Sequence, residues 1–170
     1  MATESKGDRE VQPLSDTEKA MIQDTWATVY KDSEDVGVSI LLRFFVNFPS
    51  ARQLFAQFKS MEDPGEMRHS AHLRRHAGQV MGAIDSMLAI LHDPERMSST
   101  LESVARRHAL RHNVEYFEIL SDVTLEVLLE SYPQCFTKEV QSAWKKLMDL
   151  IQWHVARTYA LLSQPSNATV

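Results

Sequence analysis

The sequence is poor in cysteine and in the residues that form tight turns. Its 170 residues include 1 cysteine, 5 glycines and 6 prolines. All-β domains use many turn residues, so this composition disfavours a sheet protein. A single cysteine forms no intrachain disulfide, which is typical of proteins from reducing intracellular compartments. No repeat of fixed length occurs, and this argues against a solenoid or a propeller.

Positive charge and long apolar runs are also scarce. Lysine and arginine number 18 against 23 acidic residues, which gives a net charge of −5 and argues against a nucleic-acid partner. No run of about 18 apolar residues occurs, so we expect no transmembrane segment. The first residues, MATESK, contain neither an apolar signal segment nor a glycine for myristoylation. We therefore expect a cytoplasmic protein, with the nucleus as an alternative location.

Apolar residues recur with helical spacing through most of the chain. Two capping boxes, Ser15 with Glu18 and Ser99 with Glu102, each predict a helix start. The predicted helices begin at Ser15, Glu34, Ser70, Ser99, Val114 and Thr137. We therefore predict an all-α globular domain over residues 14–162, between flexible segments 1–13 and 163–170.

The histidines are the residues with the clearest chemical potential. Two pairs, His72 with His76 and His108 with His112, have a spacing of four, so each pair shares one helix face. A single helical histidine is most often a surface or hydrogen-bonded residue. A zinc site needs three or four ligands, often cysteines. Because Cys135 lies far along the chain from both pairs, the sequence does not favour zinc.

Haem is the other metal-binding alternative. It needs an imidazole on the iron and an apolar slot for the ring. His76 and His108 lie on different predicted helices, each within an apolar stripe, and Phe55 and Phe58 could form a wall of the slot. Ordinary core packing explains the same stripes, so the spacing alone leaves both interpretations open.

Three segments together resemble the vertebrate globin family. Residues 44–51 (FFVNFPSA) are similar to the globin segment in which a proline opens a short helix. Residues 73–77 (LRRHA) resemble the distal helix, and residues 107–112 (RHALRH) resemble the proximal helix. Further similarity at 34–38, 61–64, 80–83 and 91–94 favours the branch of hexacoordinate globins over the oxygen-storing and oxygen-carrying ones.

The resemblance implies a globin fold of six to eight helices that encloses one b-type haem. It implies that His108 is the proximal iron ligand and that His76 is the distal ligand and the catalytic residue. The remaining haem contacts are expected from Leu41, Phe55, Phe58, Val80, Val104, His112 and Val114. In this arrangement His112 lies near a haem propionate.

The resemblance also implies reversible binding of O2, NO and CO, and redox chemistry. The main expected reaction is nitric oxide dioxygenation to nitrate, accompanied by peroxidase and nitrite reductase activity. A cellular reductant is needed, because the chain has no Gly-x-Gly-x-x-Gly fingerprint for a nucleotide cofactor. The alternatives are a passive oxygen store or carrier and a haem-based gas or redox sensor. We expect a monomer or a weak homodimer.

The sequence differs at four places from the pattern of the family that it resembles. Ser33 and Gly78 stand where a redox-sensitive cysteine pair is usual, so Cys135 could pair only between molecules. Gln79 stands where a basic residue is usual, which implies a weaker anchor for a propionate. The stretch 114–117 (VEYF) is two residues shorter than usual. The loss of two residues within a helix would rotate the apolar stripe that follows by about 200°. We therefore expect the corner before the helix to accommodate the shorter length.

Overall fold

All regular secondary structure in the described part of the chain is α-helical. The computed structural model describes residues 11–53, 55, 63–109 and 114–163. Its helices are α1 (Asp16–Tyr30), α2 (Ser33–Asn47), α3 (Pro49–Arg52), α4 (Pro64–Arg68), α5 (Ala71–Ala89), α6 (Pro94–Ala109), α7 (Val114–Ser131) and α8 (Lys138–Ser163). The predicted all-α architecture is confirmed. None of these helices has the length and apolarity needed to cross a bilayer.

Three of the predicted helix starts carry the expected side-chain caps. At α1, the Glu18 backbone N–H donates to Ser15 Oγ at 3.1 Å, and the Ser15 N–H donates to the Glu18 carboxylate at 3.1 Å. At α5, the Leu73 N–H donates to Ser70 Oγ at 3.4 Å. Thr137 caps α8 in the same way. These bonds satisfy backbone donors that have no partner within the helix.

The helix start predicted at Ser99 is wrong. The α6 helix begins at Pro94, and Asp93 accepts a hydrogen bond from the Arg96 backbone N–H at 3.2 Å. Proline is well suited to a first helical position because it has no N–H to leave unsatisfied. Glu102 therefore lies inside the helix, where it pairs with Arg106 at 3.0 Å.

The α2 helix lies between α5 and α7, and it crosses α5 at very short range. Gly37 of α2 faces Ala77 and Met81 of α5, which are 0% and 1% exposed. A Cβ atom at position 37 would lie 2.8 Å from Met81 Cγ and 3.1 Å from both the Ala77 Cβ and the Ala77 carbonyl oxygen. Glycine is therefore required for the two backbones to approach this closely.

The first and last helices are joined by a buried polar contact. The fully buried Trp144 of α8 donates its indole N–H to Thr25 Oγ1 of α1 at 2.8 Å, and Thr25 donates to the Met21 carbonyl at 2.8 Å. On the surface of the same pair, Lys146 lies 2.9 Å from Glu18. The Trp144 and Thr25 side-chain donors both have acceptors, so their hydrogen bonds offset the cost of burying these polar groups while the contact orients α8 on α1.

We expect Gly37→Ala to lower the free energy of unfolding by about 1–3 kcal/mol, because its new methyl group overpacks the crossing of α2 and α5. Urea unfolding monitored by circular dichroism measures the change.

The matched control is Gly82→Ala on α5, where an added Cβ has no neighbour within 4 Å. This control should be neutral or stabilising by up to about 1 kcal/mol, because alanine favours helix more than glycine does. Equal stability of the parent and Gly37→Ala would contradict the close crossing.

Candidate haem-binding site

His76 of α5 and His108 of α6 are both half-buried. Burial is the main reason that the pKa of His76 is lowered from its ordinary value, and the positive form of nearby His108 lowers this pKa further. An interaction with the side chain of Gln79 acts in the opposite direction on this pKa. His76 is therefore a neutral imidazole at neutral pH, with one nitrogen lone pair and one N–H.

The position of His76 follows from the packing of α5. Its neighbour Ala77 is fixed against Gly37, and one residue corresponds to a rotation of about 100° around a helix. The His76 ring meets the edge of Phe55, with ring centroids 5.1 Å apart, and Phe55 in turn packs on Phe45 at 5.3 Å. The imidazole is thus held beside an aromatic cluster.

His108 lies in the last turn of α6, where its ring is oriented by the helix itself. The His108 Nδ1 atom lies 2.8 Å from the Val104 carbonyl oxygen, an acceptor, so Nδ1 carries the hydrogen. In the neutral ring the lone pair is then on Nε2, the nitrogen that would bind a metal ion. Phe117 of α7 packs edge-on against His108 at 5.1 Å.

The other residues predicted to contact haem occupy different environments. Val80 and Val104, each one helical turn from a histidine, are half-buried, as is Val114 at the start of α7. Leu41 of α2 is in the core and 2% exposed. The predicted contacts Phe58 and His112 lie outside the described residues. The role of each residue in binding haem stays a prediction.

Phe117 is the site residue that the sequence argument did not single out. It follows Val114 by three residues and so belongs to the same helix face, which is the signal that would have found it. Through Phe117, this face of α7 contacts the end of α6 at His108. The corner 110–113 itself is outside the described residues.

Ser33 and Gly78, the two positions at which the family resemblance implies cysteines, lie on different helices. Ser33 is the first residue of α2, and Gly78 lies on α5 with no neighbour within 4 Å of an added Cβ. Cys135 is a half-exposed free thiol in the turn between α7 and α8.

The donor set of the site fits haem. Among the residues that the structure describes, no three His, Cys, Asp or Glu side chains converge on a common point. Two imidazoles from separate helices, with half-buried valines and phenylalanines beside them, suit a metal whose remaining ligands come from a flat apolar macrocycle. His76 and His108 would hold the iron, and Phe55, Val80, Val104 and Phe117 would contact the ring.

Comparison with known proteins gives a consistent result. The profile of the globin family matches residues 38–154. Cytoglobin-2 of Danio rerio is 53% identical over 158 residues, which cover 92% of this chain and 88% of the relative. Cytoglobin-2 of Oryzias latipes is 55% identical over 150 residues, which cover 87% and 84%. Cytoglobin-1 of Oryzias latipes is 48% identical over 161 residues, which cover 92% and 91%. The chain therefore belongs to the globin family of gas-binding haem proteins, within its cytoglobin branch.

Proposed function

We propose that the chain binds haem b between His76 and His108 and converts nitric oxide and O2 to nitrate. The observation that carries this proposal is the pair of half-buried imidazoles supplied by two different helices. The reaction NO + O2 + one electron gives one nitrate ion, so each turnover consumes one electron. We propose that a cellular reductant supplies this electron in the cytoplasm, with the nucleus as an alternative compartment.

His108 serves as the permanent ligand in this proposal. Its Nδ1–H donates to the Val104 carbonyl, which belongs to the backbone of the same helix. This bond fixes the tautomer and directs Nε2 away from the helix. The edge of Phe117 limits rotation of the ring. When bound, haem would supply an iron atom that binds small gases and exchanges single electrons.

His76 serves as the gate in this proposal. As a neutral imidazole, His76 would hold the sixth iron position through one nitrogen, and a gas would compete with it for that position. A His76 ring that does not bind the iron would keep one N–H, which could donate to a polar ligand in the pocket. Phe55 keeps the ring nearby, since the two rings are in contact. A position that His76 vacates would also be accessible to peroxides and nitrite, which we propose as secondary substrates.

The coordination of the iron is the first quantity to measure. We expect the visible spectrum of the reduced, ligand-free protein to be six-coordinate and low-spin. His76→Ala should convert it to a five-coordinate spectrum, because alanine has no ligand atom. If His76 occupies the iron about nine-tenths of the time, the variant should bind CO about tenfold faster.

The control for this experiment is His72→Ala, an exposed histidine one turn earlier on α5 that should leave the spectrum unchanged. A parent protein without a haem band would overturn the proposal of haem binding. A five-coordinate parent that His76→Ala does not change would overturn the gate and favour passive oxygen storage.

Nitric oxide turnover is the second quantity to measure. With excess O2 and a reductant, we expect the protein to consume many equivalents of nitric oxide and to form one nitrate for each. Without a reductant, nitrate formation should stop after one equivalent, because the single electron is spent. A nitric oxide electrode and ion chromatography measure the two quantities.

Repeated re-reduction of the protein by the reductant distinguishes a nitric oxide dioxygenase from an oxygen store in this assay. A protein that stays at one equivalent with every reductant tried, and that autoxidises slowly, would be an oxygen store. His108→Ala should abolish turnover because it removes the permanent ligand. Undiminished turnover in this variant would contradict the assignment of His108.

A further inference from the structure

Tyr159 is a half-buried tyrosine near the end of α8, the last described helix. Its ring packs edge-on against the ring of Phe117 on α7, with centroids 6.0 Å apart and an interplanar angle of 74°. Phe117 packs in turn against His108 on α6, with centroids 5.1 Å apart and an angle of 79°. Rings from three helices therefore form one chain of edge-on contacts that ends at the proposed permanent ligand.

The ring of Tyr159, rather than its hydroxyl group, accounts for its place in this chain. The hydroxyl oxygen is buried, and it has no hydrogen-bond partner among the residues that the structure describes. A buried hydroxyl without a partner destabilises a fold, whereas phenylalanine would fill much the same space without that cost. Burial also raises the pKa of Tyr159, so the side chain is neutral at neutral pH. Tyr159 thus contributes an uncharged aromatic edge to the contact with Phe117.

The His108 ring needs more than its own hydrogen bond to keep one orientation. The bond from Nδ1–H to the Val104 carbonyl fixes the tautomer. Because a hydrogen bond stays favourable down to donor angles of about 150°, the ring can still rock through roughly 30°. The edge of Phe117 limits this rocking only if Phe117 is itself held in place. Tyr159 packs on Phe117 from α8 and supplies that support.

We propose that Tyr159 is a positioning residue that sets the orientation of the His108 ring by packing against Phe117. This proposal rests on the proposed function of His108 as the permanent iron ligand. The orientation of an imidazole determines how its π orbitals overlap with those of the iron, so contacts behind the ligand tune the metal. The last turns of α8 would thereby act on the iron, although α8 carries neither proposed ligand.

The test uses the ferric cyanide complex, in which cyanide occupies the sixth iron position whatever His76 does at rest. In this paramagnetic complex, the proton NMR shifts of the haem methyl groups depend on the angle of the proximal ring about the iron–nitrogen bond. We expect Tyr159→Leu to change the pattern of these shifts, because leucine does not provide the edge-on contact with Phe117. Tyr159→Phe should reproduce the parent pattern, since it retains the ring and loses only the hydroxyl.

Phe117→Leu, alone and combined with Tyr159→Leu, tests whether Tyr159 acts through Phe117. We expect Phe117→Leu to change the methyl shifts at least as much as Tyr159→Leu does. The double variant should then resemble Phe117→Leu alone, because residues that act through one contact have non-additive effects. Independent changes that add up in the double variant would overturn the proposal.

The matched control is Trp153→Leu. Trp153 is another half-buried aromatic residue of α8, but its ring packs against His154 and Arg157 of its own helix. This variant should retain the parent pattern of methyl shifts. If α8 had only a structural role, Trp153→Leu and Tyr159→Leu would change the pattern equally, and this result would overturn the proposal. A parent pattern in Tyr159→Leu would also overturn it.

Haem dissociation provides a second measurement. Transfer of haem to excess apomyoglobin should be about tenfold faster from Tyr159→Leu than from the parent, because contacts behind a metal-bound histidine contribute about this much to affinity. An unchanged rate would contradict the proposal.

The variant His108→Ala separates this proposal from the proposed function. If the cyanide complex of His108→Ala keeps the parent methyl pattern, His108 is not the ligand and both proposals are wrong. If His108→Ala loses the pattern while Tyr159→Leu keeps it, His108 remains the ligand and only the role of Tyr159 is rejected.

Discussion

The close crossing of α2 and α5 is the constraint on which the site depends. Gly37 lets the backbone of α5 approach α2 at the level of Ala77, the residue directly after His76. The direction of His76 is therefore set by contact between two helices rather than by bonds of its own. Because α5 is one rigid element, a rotation at this crossing would move His76, Gln79 and Val80 together.

The two histidines are held in physically different ways, and this difference suits different tasks. His108 is tied to the backbone of its own helix by a 2.8 Å contact, so its orientation changes only with α6. His76 packs against the ring of Phe55, a side chain that can move by a rotamer change. In the proposed function, the backbone thus holds the permanent ligand and a side chain holds the ligand that exchanges.

The sequence predicted local features well and the relations between helices less well. The caps at Ser15, Ser70 and Thr137 are short-range bonds, and all three are present. The prediction that a helix begins at the capping box of Ser99 was wrong, because the same residue pattern also occurs inside helices. Asp93 and Pro94 provide an earlier helix start. The two histidines were predicted as iron ligands from the combined motifs, whereas spacing alone left ordinary core packing open. Phe117 was missed because its contact with His108 depends on how α7 rotates against α6.

The buried bond between Thr25 and Trp144 has a consequence for synthesis of the protein. It joins residues 119 positions apart, in the first and the last helix of the described chain. Among the described helices, the ribosome releases α1 first and α8 last. The apolar face of α1 around Trp26 therefore lacks its contact with α8 during most of translation. The domain therefore completes its core only after its last helix has emerged. Nascent chains that stall before that point present a tryptophan-containing surface to chaperones.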